Sequence, residues 1–145
     1  MSRVSTYLNF PRSTEAAFTF YRAVFNSEFA GPIARFKDMP AQPGQPPVPP
    51  GDANLVMHVE LPILGGHVLM GTDAPESSGF KLTAGNNITL NVEPDTRAET
   101  ERLFTDLGAG GTVDMPLQEM FWGSYFGILT DRFGIRWMFN CRAKA

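Results

Sequence analysis

The two histidines of this 145-residue chain both fall in one short stretch, His58-Val59-Glu60 and then His67. Residues 54–61 have the apolar alternation of a strand. Two positions apart on such a strand, His58 and Glu60 share a face. Residues 67–72 read as a second strand, joined to the first by Pro62-Ile63-Leu64-Gly65-Gly66, a hairpin signal. A hairpin closed with Leu61 opposite Gly66 sets Glu60 opposite His67 and gathers three polar groups. Such a set can bind zinc, or it can form a general base in which a carboxylate orients an imidazole. With Met70 facing a ligand cavity, the same pairing sends Met57 and Val59 inward and turns His58 toward the helices. There it would be a buried, hydrogen-bonded histidine tying sheet to helix. Both readings stand at this level.

Glu119 precedes Phe121-Trp122-Gly123, a strand end followed by an aromatic turn. A carboxylate there can bind a cation, accept from a ligand hydroxyl, or pair with an arginine. Trp122 suits a pocket wall or a dimer interface, its body burying while its N–H finds a partner. Trp137 is expected in the helix-side core. The single cysteine, Cys141, excludes an internal disulfide and a thiol-rich metal site, and nothing beside it in sequence activates it. Gly108-Ala109-Gly110-Gly111 follows a helical pattern rather than opening one, so it is no phosphate cradle. No serine elbow or dinucleotide fingerprint occurs.

The elements that position these residues come in two similar sets. Tyr7-Leu8-Asn9-Phe10 and Thr89-Leu90-Asn91-Val92 lie 82 residues apart, each followed by a helix-like stretch and then short β-like segments. In the first, Pro11-Arg12-Ser13-Thr14 supplies a turn and a helix N-cap, and Ala17, Phe20, Tyr21 and Val24 form an apolar stripe. In the second, Thr96 and Glu99 form a capping-box pair. Thr100, Leu103, Phe104 and Leu107 repeat the stripe, and Gly108 is the expected left-handed stop. Strands are expected at 112–120, 125–130 and 135–141, with Asp131-Arg132-Phe133-Gly134 as a tight turn between the last two.

Between residues 39 and 51, six of thirteen residues are proline. Proline donates no ladder hydrogen bond, so this is an extended loop, either an exposed excursion or a flap over a cleft. The insertion accounts for the copies' unequal lengths. The expected organisation is a single domain over 1–145, with module one at 1–76, the proline-rich loop at 39–51, and module two at 86–145. A net charge of −3 and a pI near 5.3 argue against a nucleic-acid partner. No run of about 20 apolar residues suggests a membrane span, and the N-terminus lacks a signal-type apolar region. A cytoplasmic location is expected.

The doubled βαβββ pattern resembles the vicinal oxygen chelate superfamily (glyoxalase I, bleomycin-resistance proteins, extradiol dioxygenases), and more closely its PhnB-like branch. The specific matches are Leu117-Gln118-Glu119-Met120-Phe121-Trp122-Gly123 and Thr130-Asp131-Arg132-Phe133-Gly134-Ile135-Arg136-Trp137-Met138. Tyr7-Leu8-Asn9-Phe10, His58-Val59-Glu60 and Leu69-Met70 with Asp73 support them. The resemblance implies an α+β fold of tandem βαβββ modules forming a curved, cup-shaped mixed sheet with helices on the convex face. It also implies homodimers. Metal-using relatives carry His, Glu or Gln on the first and last strands of each module, and those positions fall near Ser5, Asn87, Met70 and Met138 in this chain. Thioethers, a hydroxyl and an amide bind divalent ions weakly. The leading expectation is therefore binding or sequestration of a small apolar or aromatic ligand, with no cofactor. The expected lining is Tyr7, Asn9, Met57, Met70, Thr89 and Met138, with Glu119 and Trp122 near the mouth. The alternative is a lyase- or oxygenase-type enzyme whose Zn, Ni, Mn or Fe is held by His58, Glu60, His67 or Glu119. Some sequences of this type carry a demethylubiquinone methyltransferase label. No glycine-rich strand–loop–helix for S-adenosylmethionine accompanies it here.

Overall fold

In the computed structural model, which describes residues 1–40 and 42–144, the chain divides into two units, Met1–Leu82 and Thr83–Ala145. In the first, β1 (Thr6–Phe10) leads into α1 (Thr14–Phe25), followed by β2 (Ala34–Arg35), β3 (Val56–Pro62) and β4 (Val68–Asp73). The sheet order is β1-β4-β3-β2. Strand β1 runs parallel to β4, and the other pairs are antiparallel. A parallel pair needs a crossover connection, and α1 begins it. The second unit repeats the plan with β5 (Leu90–Val92), α2 (Arg97–Gly108), β6 (Thr112–Glu119), β7 (Tyr125–Thr130) and β8 (Arg136–Cys141), in the order β5-β8-β7-β6. The α+β class and the tandem βαβββ repeat are those expected from the sequence. Strand β2, only two residues long, carried no periodic signal.

Each helix lies on one face of its own sheet. Helix α1 buries Ala17, Phe18, Tyr21 and Val24 against Leu8, Phe10, Val59, Leu61 and Leu69. Phe18 takes the place expected of Phe20, which is only half-buried. It can do so because β4 offers Gly71 beneath it: a Cβ there would lie 2.8 Å from Phe18 Cζ. Gly127 on β7 does the same for Phe104 of α2, where an added Cβ would meet Cε2 at 2.8 Å. The stripe Thr100, Leu103, Phe104, Leu107 is buried as expected, facing Leu129, Trp137 and Phe139.

The helix ends differ from expectation in three places. The Ser13 side chain makes no capping bond at α1. Buried Asp73 does that work instead, accepting from Thr14 N–H at 3.0 Å and from Val56 N–H at 2.8 Å. At α2, Thr96 Oγ1 accepts from Glu99 N–H at 3.1 Å, but the Glu99 carboxylate turns to Arg102, so half of the capping box forms. Gly108 belongs to the helix, and the left-handed residue is Gly110, at φ 78°.

The described part of the proline-rich loop is exposed, and its two feet are pinned to the first unit. Arg35 is clamped by Glu15, and its backbone N–H donates to the Asp38 carboxylate. At the far foot, buried Asp52 takes Arg12 at 2.8 Å and the Ser77 hydroxyl, while Arg12 also grips Glu76. The Ser77 and Arg12 hydrogen bonds hold the Asp52 carboxyl below the usual carboxylate range. The loop encloses a hollow of about 410 Å3 lined in part by Phe36, Met39, Pro40, Pro46, Pro47 and Val48.

Candidate functional site

The β3–β4 register decides what shares a face. Glu60 pairs with Met70 and Leu61 with Leu69, not Glu60 with His67 as the hairpin pattern suggested. The turn Ile63–His67 is longer than the tight closure assumed, with Gly65 and Gly66 both at positive φ and Ile63 N–H donating to the His67 carbonyl. This displacement reverses the parity. Val59, Leu61, Leu69 and Gly71 face α1, so Glu60 and Met70 face the other way. Strand β1 lies beside β4 with Tyr7 next to Met70 and Asn9 next to Thr72. Its Leu8 and Phe10 are buried while Tyr7 and Asn9 are exposed. Met57 thereby loses its expected place opposite Met70.

On this open face Tyr7, His58 and Glu60 form a chain of hydrogen bonds. The Tyr7 hydroxyl lies 3.1 Å from His58 Nδ1, and His58 Nε2 lies 3.0 Å from Glu60 Oε2. Glu60 also pairs with Arg3 at 3.8 Å. His58 therefore points away from the helix, not toward it. Burial holds the Tyr7 hydroxyl above the usual phenol range, the neighbouring Thr72 hydroxyl pulls it down, and the Glu60 charge adds to the rise. His67 does not join the group: its Nε2 bonds Thr6 Oγ1 at 2.8 Å. Among the described residues no three His, Cys, Asp or Glu side chains gather in a way that could hold a metal. At the positions used by metal-binding relatives, the Ser5 hydroxyl donates to the Met70 sulfur at 3.6 Å. A hydroxyl and a thioether are poor donors for a hard or borderline cation. Asn87 precedes β5 as an exposed residue rather than lying on it. This donor set does not fit the divalent metal that the sequence resemblance implies.

The second unit's open face has a different character. Met138 sits beside Asn91 and opposite Ile128, and Phe126 lies opposite Asn140. Trp122 packs edge-on against Phe126 with ring centroids 5.6 Å apart, and Phe121 packs against Trp122 at 5.0 Å. Thr89, just before β5, is half-buried. Among the described residues, buried Asn140 Oδ1 has no hydrogen-bond partner. Glu119 does not belong to this face: it pairs with Arg97 on α2, whose guanidinium lies 4.5 Å over the Tyr125 ring. Glu119 is opposite Tyr125, which is itself opposite buried Cys141, so this carboxylate lies on the helix side. Burial, with a hydrogen bond to Glu101, raises the Tyr125 hydroxyl above its usual range.

Sequence reasoning missed Phe126 and Ile128, and it missed the Tyr7–His58 contact. Aligning the two hairpins through Met70 and Met138 would have set Glu60 with Ile128 and His58 with Phe126.

Comparison with known proteins joins this geometry to a family. The profile of the family described as 3-demethylubiquinone-9 3-methyltransferase matches residues 2–139. Protein YjdN of Escherichia coli is 32% identical over 142 residues, spanning 94% of this chain and 93% of that protein. The crystal structure of protein PA1353 from Pseudomonas aeruginosa superposes with a TM-score of 0.84 at 30% identity, covering 99% of this chain and 100% of that one. A PhnB protein from Bacillus cereus superposes with a TM-score of 0.73 at 27% identity, covering 97% and 99%. The chain belongs to the family described as 3-demethylubiquinone-9 3-methyltransferase.

Proposed function

We propose that this protein is a metal-free, homodimeric, cytoplasmic binder of a small molecule with an apolar or aromatic body and few polar handles, acting by binding or sequestration. The observation that carries this reading is the Tyr7–His58–Glu60 chain on a sheet face that its own helix leaves uncovered. Interacting polar side chains held on an uncovered face are suited to ligand recognition. The Phe126, Ile128, Met138 and Trp122 surface of the second unit supports an apolar or aromatic ligand. Methyl transfer is not extended to this chain. The turns that lead into its helices, Pro11–Ser13 and Glu93–Thr96, contain no glycine, whereas a nucleotide-type donor needs a close backbone approach at that turn.

The deciding experiment is metal analysis of protein purified without an affinity tag, together with its native mass. A dimer of about 32 kDa, twice 16.0 kDa, with less than a tenth of a metal per subunit supports the reading (threshold roughly set by contamination, not by affinity). One transition metal per subunit, lost on His58→Ala, would sink it. Calorimetric binding of S-adenosylmethionine would bring the methyl-transfer reading back.

A further inference from the structure

The direction of each hydrogen bond in the Tyr7–His58–Glu60 chain follows from the chemistry of its members. A carboxylate only accepts, so Glu60 Oε2, 3.0 Å from His58 Nε2, requires the proton on Nε2. When the His58 ring is neutral, Nδ1 keeps a lone pair, and that lone pair, 3.1 Å from the Tyr7 oxygen, takes the phenolic proton. Tyr7 has one proton to give, and it gives it inward. Its oxygen then has only lone pairs to offer, one toward the neighbouring Thr72 hydroxyl and the other toward a ligand on the open side of a residue left 47% exposed. The Arg3 guanidinium lies 3.8 Å from the other oxygen of Glu60. Burial keeps Tyr7 protonated, so no phenolate competes for this role.

We infer that the Tyr7 hydroxyl is a fixed hydrogen-bond acceptor and that the open face of the first unit selects ligands carrying an O–H or N–H donor, the phenol class foremost, over ligands whose only polar atoms are acceptors. This rests on the small-molecule-binding reading and specifies it: a carboxylate or an ether oxygen placed at Tyr7 would meet a lone pair and be rejected. An aromatic alcohol would meet an acceptor and add one net hydrogen bond.

Two measurements on the full-length protein test this, and they fail independently. The first needs no ligand: long-range proton–nitrogen NMR of His58 near neutral pH reports which ring nitrogen carries the proton. The Nε2–H tautomer in the wild type, giving way to a mixture in Glu60→Gln, is the expected result. A dominant Nδ1–H tautomer overturns the inference, because Nδ1 would then donate to Tyr7 and free the phenolic proton for the ligand. The second compares three probes of similar size, phenol, anisole and benzoate, by NMR titration. Phenol is expected to bind about fivefold more tightly than anisole, the worth of one ordinary hydrogen bond, and benzoate more weakly still. Tyr7→Phe, which keeps the ring, should abolish the preference. Equal affinities for phenol and anisole in the wild type would overturn the donor selection while leaving small-molecule binding intact. If the Nε2–H tautomer is present and no aromatic probe binds, the binding reading itself fails, and the selectivity with it.

Discussion

Met70 and Met138 occupy corresponding places in two sheets of identical strand order, yet Glu60 lies opposite the first and Ile128 opposite the second. Two residues earlier on each partner strand stand His58 and Phe126. One open face is thus polar and internally hydrogen-bonded, and the other is apolar and aromatic. The helix-covered faces diverged far less. Each keeps a glycine under a helix phenylalanine, Gly71 under Phe18 and Gly127 under Phe104, and each fills the rest with branched and aromatic side chains. Packing constrains the covered face of every copy, because a change of one methyl is felt in a dense interior. The open face carries no such constraint, so the two copies could take different chemistry there without disturbing the fold.

The largest expected effect tests whether the two units rely equally on a buried carboxylate. Asp131 accepts from Phe133 N–H and Ile135 N–H, and from the indole N–H of fully buried Trp137 at 2.9 Å. Asp73 accepts two backbone N–H groups, of Thr14 and Val56. Asp131→Ala should cost about 3–5 kcal/mol in urea unfolding and Asp73→Ala about 2–3, since each orphaned buried donor carries its own penalty. Equal losses would remove the distinction.

Next come the glycines, where the two units should behave alike. Gly71→Ala and Gly127→Ala are each expected to cost about 1–3 kcal/mol by overpacking against Phe18 and Phe104. Stability unchanged in either variant would mean that the helix moves away freely, and the argument from covered faces would weaken.

A smaller effect probes the open faces. Replacing Phe126 with Ala should lower affinity for an aromatic probe about threefold to tenfold by loss of apolar contact, while leaving the His58 tautomer untouched. Any change in that tautomer would couple the two surfaces and break the comparison.

The smallest effect concerns acid. In the first unit Glu15 is held below the usual carboxylate range by Arg35, Asp52 by Ser77 and then Arg12, and Glu76 by Arg12. In the second, Glu99 is held down by Arg102. A carboxylate whose folded value lies below its unfolded one stabilises the fold above the unfolded value, about pH 4. That contribution fades as pH falls through the folded value. Amide exchange taken relative to its intrinsic rate should therefore accelerate sooner in the first unit between about pH 5 and pH 3, and more weakly in high salt because the Glu15–Arg35 and Glu76–Arg12 pairs face solvent. Parallel acceleration in both units would refute the assignment.

Much of the fold could be read from the residues. The doubled strand–helix–hairpin order, the α2 stripe, the turn at Asp131–Gly134 and the buried place of Trp137 all rest on local periodicity and turn chemistry, which a linear sequence carries. The α1 cap could not be read this way, because its acceptor, Asp73, lies 59 residues from Thr14. The candidate site was half legible. His58 and Glu60 stood out because two residues on one strand share a face whatever the tertiary context. Their partner did not, and Glu119 was drawn to the wrong side because its tie to Arg97 is a tertiary contact.

By itself, then, the sequence determined the repeat, the elements and the side-chain types available for chemistry. Only the tertiary structure decided the β3–β4 register, and with it which of those side chains meet. A change of odd residue count in a hairpin turns every side chain of one strand to the other face. No local pattern on that strand records which register holds. Burial of Val59, Leu61 and Leu69 under α1 settled it, and that placed His58 beside Tyr7.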